Sequence, residues 1–577
     1  MKRWFKYVKP YISSFILGPV CMIVELIGDI LMPILLAWII NSADQGTLTV
    51  GMSIGIAALM SGIVLVMLGG GVGGAYFGSK AAVNFATDLR RDVYAKIQKF
   101  SYANLYKFST GSLVTRLTND VTQLQNFVNM LLRMALRSPG MMIGGIIMAI
   151  SLKPSLSVVL AVTMPMMIIF ILVLIKIGFP RFGIMQKKID KLNSTVRENV
   201  TNVRVVKSFV REEHEIDKFE RDNLDLKQSG LNAVKVVIWM GPIMNIFMYA
   251  TVIAVIWLGS DIVISGDMLV GDLSAFITYT TQILSSLMMI TMLLMTASRA
   301  MASGKRICEV LDEKIDLTDD NAALPEKKLE SGEIEFKNVS FRYYKHSEEK
   351  VLNNINLKIK SGSTVGIIGS TGCGKTTLVS MIPRLYDVDE GEVLIDGVNV
   401  KDYSLVNLRD GVGIVLQKNL LFSGSISDNL RWGDMNASDE ELRLASEHAA
   451  ADKFISTFKE GYDTMLDKGG TNLSGGQKQR VCIARTLIKK PKILILDDST
   501  SAVDTATERQ IQTALKNDHS NCTKIIIAQR ISSVKDSEQI VVMNDGRITG
   551  IGTHDELLAS NEGYSEIYYS QMDKKEA

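Results

Sequence analysis

Gly369, Ser370, Thr371, Gly372, Cys373, Gly374, Lys375, Thr376 and Thr377 follow an apolar, strand-like run from Thr364 to Ile368 and open the helical pattern Leu378 to Leu385. Residues of these types in this order suit the holding of phosphate. The glycines let successive backbone N–H groups turn inward around phosphate oxygens. Lys375 brings a point charge, Thr376 offers a hydroxyl to Mg²⁺, and the helix N-terminus behind them favours an anion. The plain alternative is a glycine-rich strand-to-helix turn. A second stretch, Leu473-Ser474-Gly475-Gly476-Gln477, lies between that loop and the apolar strand Ile493 to Leu496, which ends in Asp497-Asp498. Its serine hydroxyl and glycine N–H groups stand at the start of the helical run Lys478 to Lys489, a second anion-binding helix terminus. A chain folds one of these around its own triphosphate, so the other serves a nucleotide held by a second chain.

The elements that position these loops are set by composition. The chain has 577 residues, of which 47% are hydrophobic, with a mean hydropathy of +0.18. It is too long for one domain and too apolar for an ordinary soluble protein. The 63 basic and 61 acidic residues nearly cancel, so net charge selects no partner and distribution matters instead. Five cysteines, Cys21, Cys308, Cys373, Cys482 and Cys522, are odd in number and lack paired metal-ligand spacing, which implies no disulfide framework. Apolar runs at about 11–40, 51–77, 130–152, 156–179, 236–258 and 273–296 are each long enough to cross about 30 Å of hydrocarbon, giving six expected spans. The connections 78–129 and 180–235 are long, helical in pattern and rich in Lys and Arg, whereas the others are short and nearly free of them. That asymmetry places the long connections and both termini in the cytoplasm. The N-terminal Lys2, Arg3, Trp4, Phe5, Lys6, Tyr7 and Lys9 suit a segment lying at the membrane surface. The run behind it is too long for a signal-peptide core.

On the two loops and the six spans together, the chain resembles ATP-binding cassette (ABC) exporters over nearly its whole length. The resemblance implies an all-α transmembrane domain with long intracellular helical extensions over 1–311, a linker over 312–330, and an α/β P-loop nucleotide-binding domain over 331–577. It further implies ATP and Mg²⁺ as cofactors and a multi-pass protein of a bacterial plasma membrane. Gly111 to Asp120 and Glu198 to Phe209 look like the family's intracellular loops, whose tips dock on nucleotide domains; the tips are expected near Ala103 to Gly111 and Glu212 to Phe219. Tyr343 occupies the place of the family's adenine-stacking aromatic, with Tyr344 a close competitor and a purely structural tyrosine the alternative. Gln417 matches the glutamine that contacts Mg²⁺ or water, Asp497 the carboxylate that holds Mg²⁺ with Thr376, and Asp504 the loop that crosses the dimer interface. His554 reads as structural.

Two positions depart from the family. Active members carry glutamate after the Mg²⁺-binding aspartate as general base for the attacking water, and here the residue is Asp498, one methylene shorter. A base must reach its proton at about 2.6–3.2 Å, and an error near 1 Å costs on the order of a hundredfold in rate. The family's switch histidine is Gln529, which can donate a hydrogen bond but cannot become cationic. Both changes weaken hydrolysis and spare binding. The expectation is a heterodimer. Its partner carries the glutamate and the histidine, this chain's own site turns over slowly, and its Leu473–Gln477 loop completes the competent one. The alternatives are a homodimeric exporter with reduced ATPase and a lipid or lipid-conjugate flippase. Expected partners are a second half-transporter, membrane lipid and small amphipathic substrates, with no nucleic acid.

For the cargo, Glu25 and Asp29 lie on one face near the middle of the first span, where unpaired charge is costly. Cation recognition and pairing with a neighbouring helix both account for them. Met288, Met292 and Met295 in the sixth span, with Met240, Met244 and Met248 in the fifth, fit either an adaptable ligand face or ordinary packing. Gly69 to Gly74 in the second span favours close helix approach over a hinge.

Overall fold

The computed structural model describes residues 2–320, 322–344 and 347–576, with Lys2, Phe179, Val237 and 572–576 described in backbone only. Contacts divide it into two units, Met1–Ile97 with Gly111–Asp312, and Gln98–Thr110 with Glu313–Ala577.

The first unit is helical. Its six apolar helices cover Arg3–Asp44, Val50–Gln98, Thr110–Leu152, Pro154–Thr201, Glu212–Ile264 and Val270–Asp312. Helices of 43 to 53 residues run about 65–80 Å at 1.5 Å per residue. They therefore project well past a hydrocarbon layer of about 30 Å. Glycines in the second span let it press against the first: a Cβ added at Gly70 would lie 2.8 Å from the Cys21 carbonyl oxygen, and one at Gly74 2.4 Å from Met22. This is the close approach expected of that stripe. The methionines of the fifth span, Met240, Met244 and Met248, pack with Met167 and Met288 around Leu284 and Leu287.

The second unit is built on two sheets. Strands β1 (Ile334–Phe341), β2 (Leu352–Ile359), β4 (Glu390–Ile395) and β5 (Val398–Asn399) form an antiparallel sheet in the order β2-β1-β4-β5. Strands β3 (Thr364–Gly369), β6 (Val412–Val415), β9 (Ile493–Asp497), β10 (Thr523–Ile527), β11 (Gln539–Asn544) and β12 (Arg547–Gly552) form the second sheet, in the order β12-β11-β3-β10-β9-β6. All but β12 pair in parallel; a ribbon of β7 (Gly424–Ser425) and β8 (Met465–Leu466) stands apart. β9 and β10 are buried at every residue, in keeping with the continuous aliphatic stretches Ile493–Leu496 and Ile525–Ile527 within them. Alternate side chains enter opposite cores, Ile493, Ile495, Ile525 and Ile527 one, Leu494, Leu496 and Ile526 the other.

The two expected tips differ from each other. Gln98–Thr110 belongs to the second unit and carries a short helix, Tyr102–Lys107, capped by Ser101 and Asn104. Asn104 Nδ2 donates to the Lys314 carbonyl at 2.9 Å, Lys107 pairs with Glu313 at 2.6 Å, and the Tyr102 ring lies 5.9 Å from Tyr386. The other tip helix is Val203–Ser208, not Glu212–Phe219. Glu212, Glu213 and Glu215 instead fill the first turn of the long helix Glu212–Ile264, where carboxylates complement the helix dipole. The segment read as a linker is folded onto the second unit: Leu329 joins its core, and one Asp396 carboxylate accepts the backbone N–H groups of Glu330, Ser331, Gly332 and Glu333 at 2.8–3.1 Å.

Candidate nucleotide site

Parallel register brings the chemistry to one edge. Ile367, Ile527 and Asp497 are aligned across β3, β10 and β9, and Val415 is aligned with Leu496. The loops that leave the carboxyl ends of these strands carry Gly369–Thr377, Gln529, Asp498 and Gln417, the edge at which open α/β sheets bind ligands.

After β3 the backbone turns through Gly374 at φ +97°, where a Cβ would also lie 2.9 Å from the Val351 carbonyl oxygen. At Gly369 an added Cβ would meet the Met543 carbonyl oxygen at 2.1 Å. Any side chain at either place would open the loop. Lys375 Nζ folds back to donate to the carbonyls of Gly369 at 2.8 Å and Ser370 at 2.7 Å. Cys373 is buried, with its sulfur 3.7 Å from that amine. Its reactivity toward alkylating reagents therefore depends on opening of the loop.

The Thr376 hydroxyl donates to Asp497 Oδ1 at 3.1 Å. Asp497 is 2% exposed, its Oδ2 has no hydrogen-bond partner, and burial raises its pKa above the usual carboxylate value, opposed by the Thr376 bond. A buried carboxylate with an orphaned oxygen beside a hydroxyl is an oxygen-donor set that fits Mg²⁺, a cation that would supply the missing partner. Beside it, Asp498 Oδ2 accepts from Gln529 Nε2 at 3.0 Å and from Gln417 Nε2 at 3.4 Å. The three residues singled out for the hydrolytic step thus form one hydrogen-bonded group. The Tyr343 hydroxyl is bonded to Thr377 Oγ1 at 2.8 Å and its ring stands edge-on to Tyr386 at 5.3 Å, whereas Tyr344 is 71% exposed.

Ser474 caps the helix Gly475–Ile488 in a reciprocal pair with Gln477. Among the described residues no hydrogen bond joins Leu473–Gln477 to the phosphate loop. What Leu473–Gln477 does touch is the loop after β9. A Cβ at Gly476 would lie 2.7 Å from the Ala502 carbonyl oxygen. Gln479 bridges the two, donating to Ser501 Oγ at 3.3 Å and accepting from the Ala502 N–H at 3.1 Å. Asp504 caps the helix Thr505–Asp518 through the N–H and hydroxyl of Thr507 at 2.9 and 2.7 Å. These N–H and O–H donors hold its carboxyl below the usual range.

Two positioning residues escaped the sequence reading. One is Gln479. The other is Gln571, in the last helix, whose Nε2 donates to the Gln529 carbonyl at 2.8 Å while its Oε1 accepts from the Ile531 N–H at 2.9 Å. No local motif marks either one. His554, read as structural, bonds the Tyr564 hydroxyl at 2.7 Å.

In the first unit, Glu25 and Asp29 both meet Arg137. Asp29 lines a cavity of about 290 Å³, together with Gln282, Ser286 and Met289. The methionines expected as cavity candidates stand beside this lining. Gln282, Ser286 and Met289 share one helical face, while Met288, Met292 and Met295 recur on the neighbouring one. Met288 packs with the fifth span, and Met292 and Met295 are exposed.

Comparison with known proteins places both units. Residues 15–287 match the family described as ABC transporter transmembrane region, and residues 352–501 match the ABC transporter family. The chain is 38% identical, over 100% of its length and 99% of the other's, to the uncharacterized ABC transporter ATP-binding protein YfiB of Bacillus subtilis. It is 32% identical, over 99% of its length and 94% of the other's, to an ATP-dependent lipid A-core flippase of Syntrophus aciditrophicus. The structure of a bacterial Atm1-family ABC exporter with ATP bound superposes with a TM-score of 0.78 at 25% identity, covering 98% of each chain.

Proposed function

Since the chain belongs to the ABC transporter family, as a half-transporter with a transmembrane region fused to a nucleotide-binding domain, we propose that it is one subunit of a heterodimeric, ATP-driven exporter of hydrophobic or amphipathic compounds. Two six-span halves alternate between inward-open and outward-open states as ATP closes the nucleotide domains. The differential binding of ATP to the closed state drives that motion. The nucleotide domain and both termini face the cytoplasm, in keeping with the basic intracellular extensions.

In this reading the loop Gly369–Thr377 cradles the phosphates, and Lys375 leaves the Gly369 and Ser370 carbonyls for the β- and γ-phosphate oxygens. Tyr343 offers its ring to adenine. Asp497 and Thr376, with Gln417, hold Mg²⁺, which when bound neutralises phosphate charge. Hydrolysis is the weak step. The observation that carries the proposal is the bond from Gln529 Nε2 to Asp498 Oδ2 at 3.0 Å. The shortened carboxylate is tied to an amide where the family places a glutamate and a histidine, so one of its two oxygens, Oδ2, is engaged by N–H donors. The site binds ATP and turns it over slowly. Leu473–Gln477 reaches the partner's nucleotide and completes a site in which the partner supplies glutamate and histidine.

The test is to purify the chain from its native membrane and sequence what comes with it. A stoichiometric second half-transporter with Glu and His at the positions equivalent to Asp498 and Gln529 is expected. Brisk ATP hydrolysis by the chain purified without any partner would overturn the proposal. The flippase of Syntrophus aciditrophicus supports a second reading, with lipid as cargo. Proteoliposomes loaded separately with labelled lipid and with an amphipathic dye separate the two.

A further inference from the structure

The cavity of the transmembrane unit lies among the first, third and sixth spans, and Asp29, Arg137, Ser138, Gln282, Ser286 and Met289 line it. Arg137 Nη2 is 3.0 Å from Glu25 Oε1 and 2.9 Å from Asp29 Oδ2. Two carboxylates against one guanidinium leave the group one negative charge in excess. Both contacts run through a single nitrogen, so neither acid is held by the parallel two-bond fork that makes arginine–carboxylate pairs strong. The cavity also holds polar groups short of partners. Gln282 Nε2 is committed to the Asp29 carbonyl at 3.3 Å, and its Oε1 is buried with no hydrogen-bond partner. Among the described residues, Ser138, 2% exposed, donates to no acceptor but the soft Met289 sulfur, at 3.9 Å. Methionine side chains beside it adapt to varied apolar shapes.

We infer that Arg137 is a built-in stand-in for the cargo's own cation. An amphipathic cargo bearing an N–H-rich ammonium displaces the guanidinium from Asp29, leaves it paired with Glu25, and donates to Gln282 Oε1 once that buried amide turns toward the cavity. The site thus selects primary ammonium over quaternary ammonium, which has charge but no donors. This rests on the exporter reading and assigns that reading a cargo class.

The consequence is an inversion of sign between neighbouring residues. If Arg137 were only a structural counter-ion, its removal would strand two half-buried carboxylates and weaken everything nearby. As a competitor, its removal tightens cation binding. The experiment measures equilibrium fluorescence binding to the whole transporter in lipid nanodiscs without nucleotide, using dansylcadaverine, its trimethylammonium derivative and its neutral N-acetyl derivative. Thermal unfolding of each variant is followed alongside. Expected for dansylcadaverine are binding about tenfold tighter in Arg137→Gln, about tenfold weaker in Asp29→Asn and several-fold weaker in Gln282→Leu, each tenfold corresponding to about 1.4 kcal/mol. The acetyl derivative should bind all variants equally, and the trimethyl derivative should be insensitive to Gln282→Leu. Should Arg137→Gln fail to fold, Asp29→Asn and Gln282→Leu decide the matter. Weakened or unchanged dansylcadaverine binding in a folded Arg137→Gln, or equal effects of the variants on charged and neutral probes, overturns the inference. ATP-dependent transport of the neutral probe in the same preparation would show that the exporter reading survives such a failure. Its absence for every amphipathic probe would sink both.

Discussion

Asp498 stands in the left-handed region at φ +48°, which aspartate tolerates better than most side chains. Its oxygen is held by Gln529 and Gln417. Replacing Asp498 by Glu together with Gln529→His should raise single-turnover hydrolysis at this chain's own site by about a hundredfold, on the order of what a 1 Å misplacement of a catalytic base costs. Rapid-quench measurement with the assembled transporter reads it, and no gain would argue that other residues disable the site. At Asp497 the orphaned Oδ2 predicts that Asp497→Asn weakens MgATP binding by about tenfold or more while sparing Mg²⁺-free ATP, as read by calorimetry; equal loss of both would speak against the metal assignment. His519 gives a pH effect. Burial, then the neighbouring His448 at 3.2 Å, lowers its pKa below 6.5; Asp518 acts the other way, while Lys524 adds to the lowering. The unfolded chain therefore binds the proton more readily. His519 opposes no stability above pH 6.5 and costs stability as pH falls beneath it. The unfolding temperature of the nucleotide-binding part should drop less between pH 7 and 5.5 in His519→Gln than in the wild type, and parallel curves would contradict this.

Elements, more than motifs, decide where these residues meet. The last helix reaches the switch through Gln571, which engages both the Gln529 carbonyl and the Ile531 N–H. Gln571→Leu forfeits two hydrogen bonds, together worth about 1–3 kcal/mol, and should speed amide exchange at 529–531 with little change elsewhere. Unaltered exchange there would dismiss the clamp. The contact shows why part of the site could be read from sequence and part could not. The phosphate loop is contiguous, and each residue's chemistry depends on its immediate neighbours. Gln417, the Asp497-Asp498 pair and Gln529 lie far apart in the chain, yet their convergence follows from buried parallel strands whose loops leave one edge. Gln479 and Gln571 act through single side chains on helices whose patterns say nothing of the bond. Arg137 is 108 residues from Asp29, and no periodicity in either span predicts their pairing. The tip at Val203–Ser208 was misplaced onto Glu212–Phe219 because that charged stretch has the character of a tip, although its acids serve a helix start.

At the scale of the whole molecule, the proposed reading is that this chain keeps the groups that grip ATP and alters the two that would cut it. Its Ser474 loop is capped by Gln477 and, in that proposal, serves a nucleotide that another chain holds. The most direct measurement is vanadate trapping of the complete transporter with 8-azido-ATP labelled on the α-phosphate, followed by separation of the two subunits. The account predicts that trapped ADP labels the partner, whose own loop holds the nucleotide being hydrolysed, while this chain retains uncleaved ATP. Equal trapping on both chains, or a transporter made of this chain alone, would contradict it.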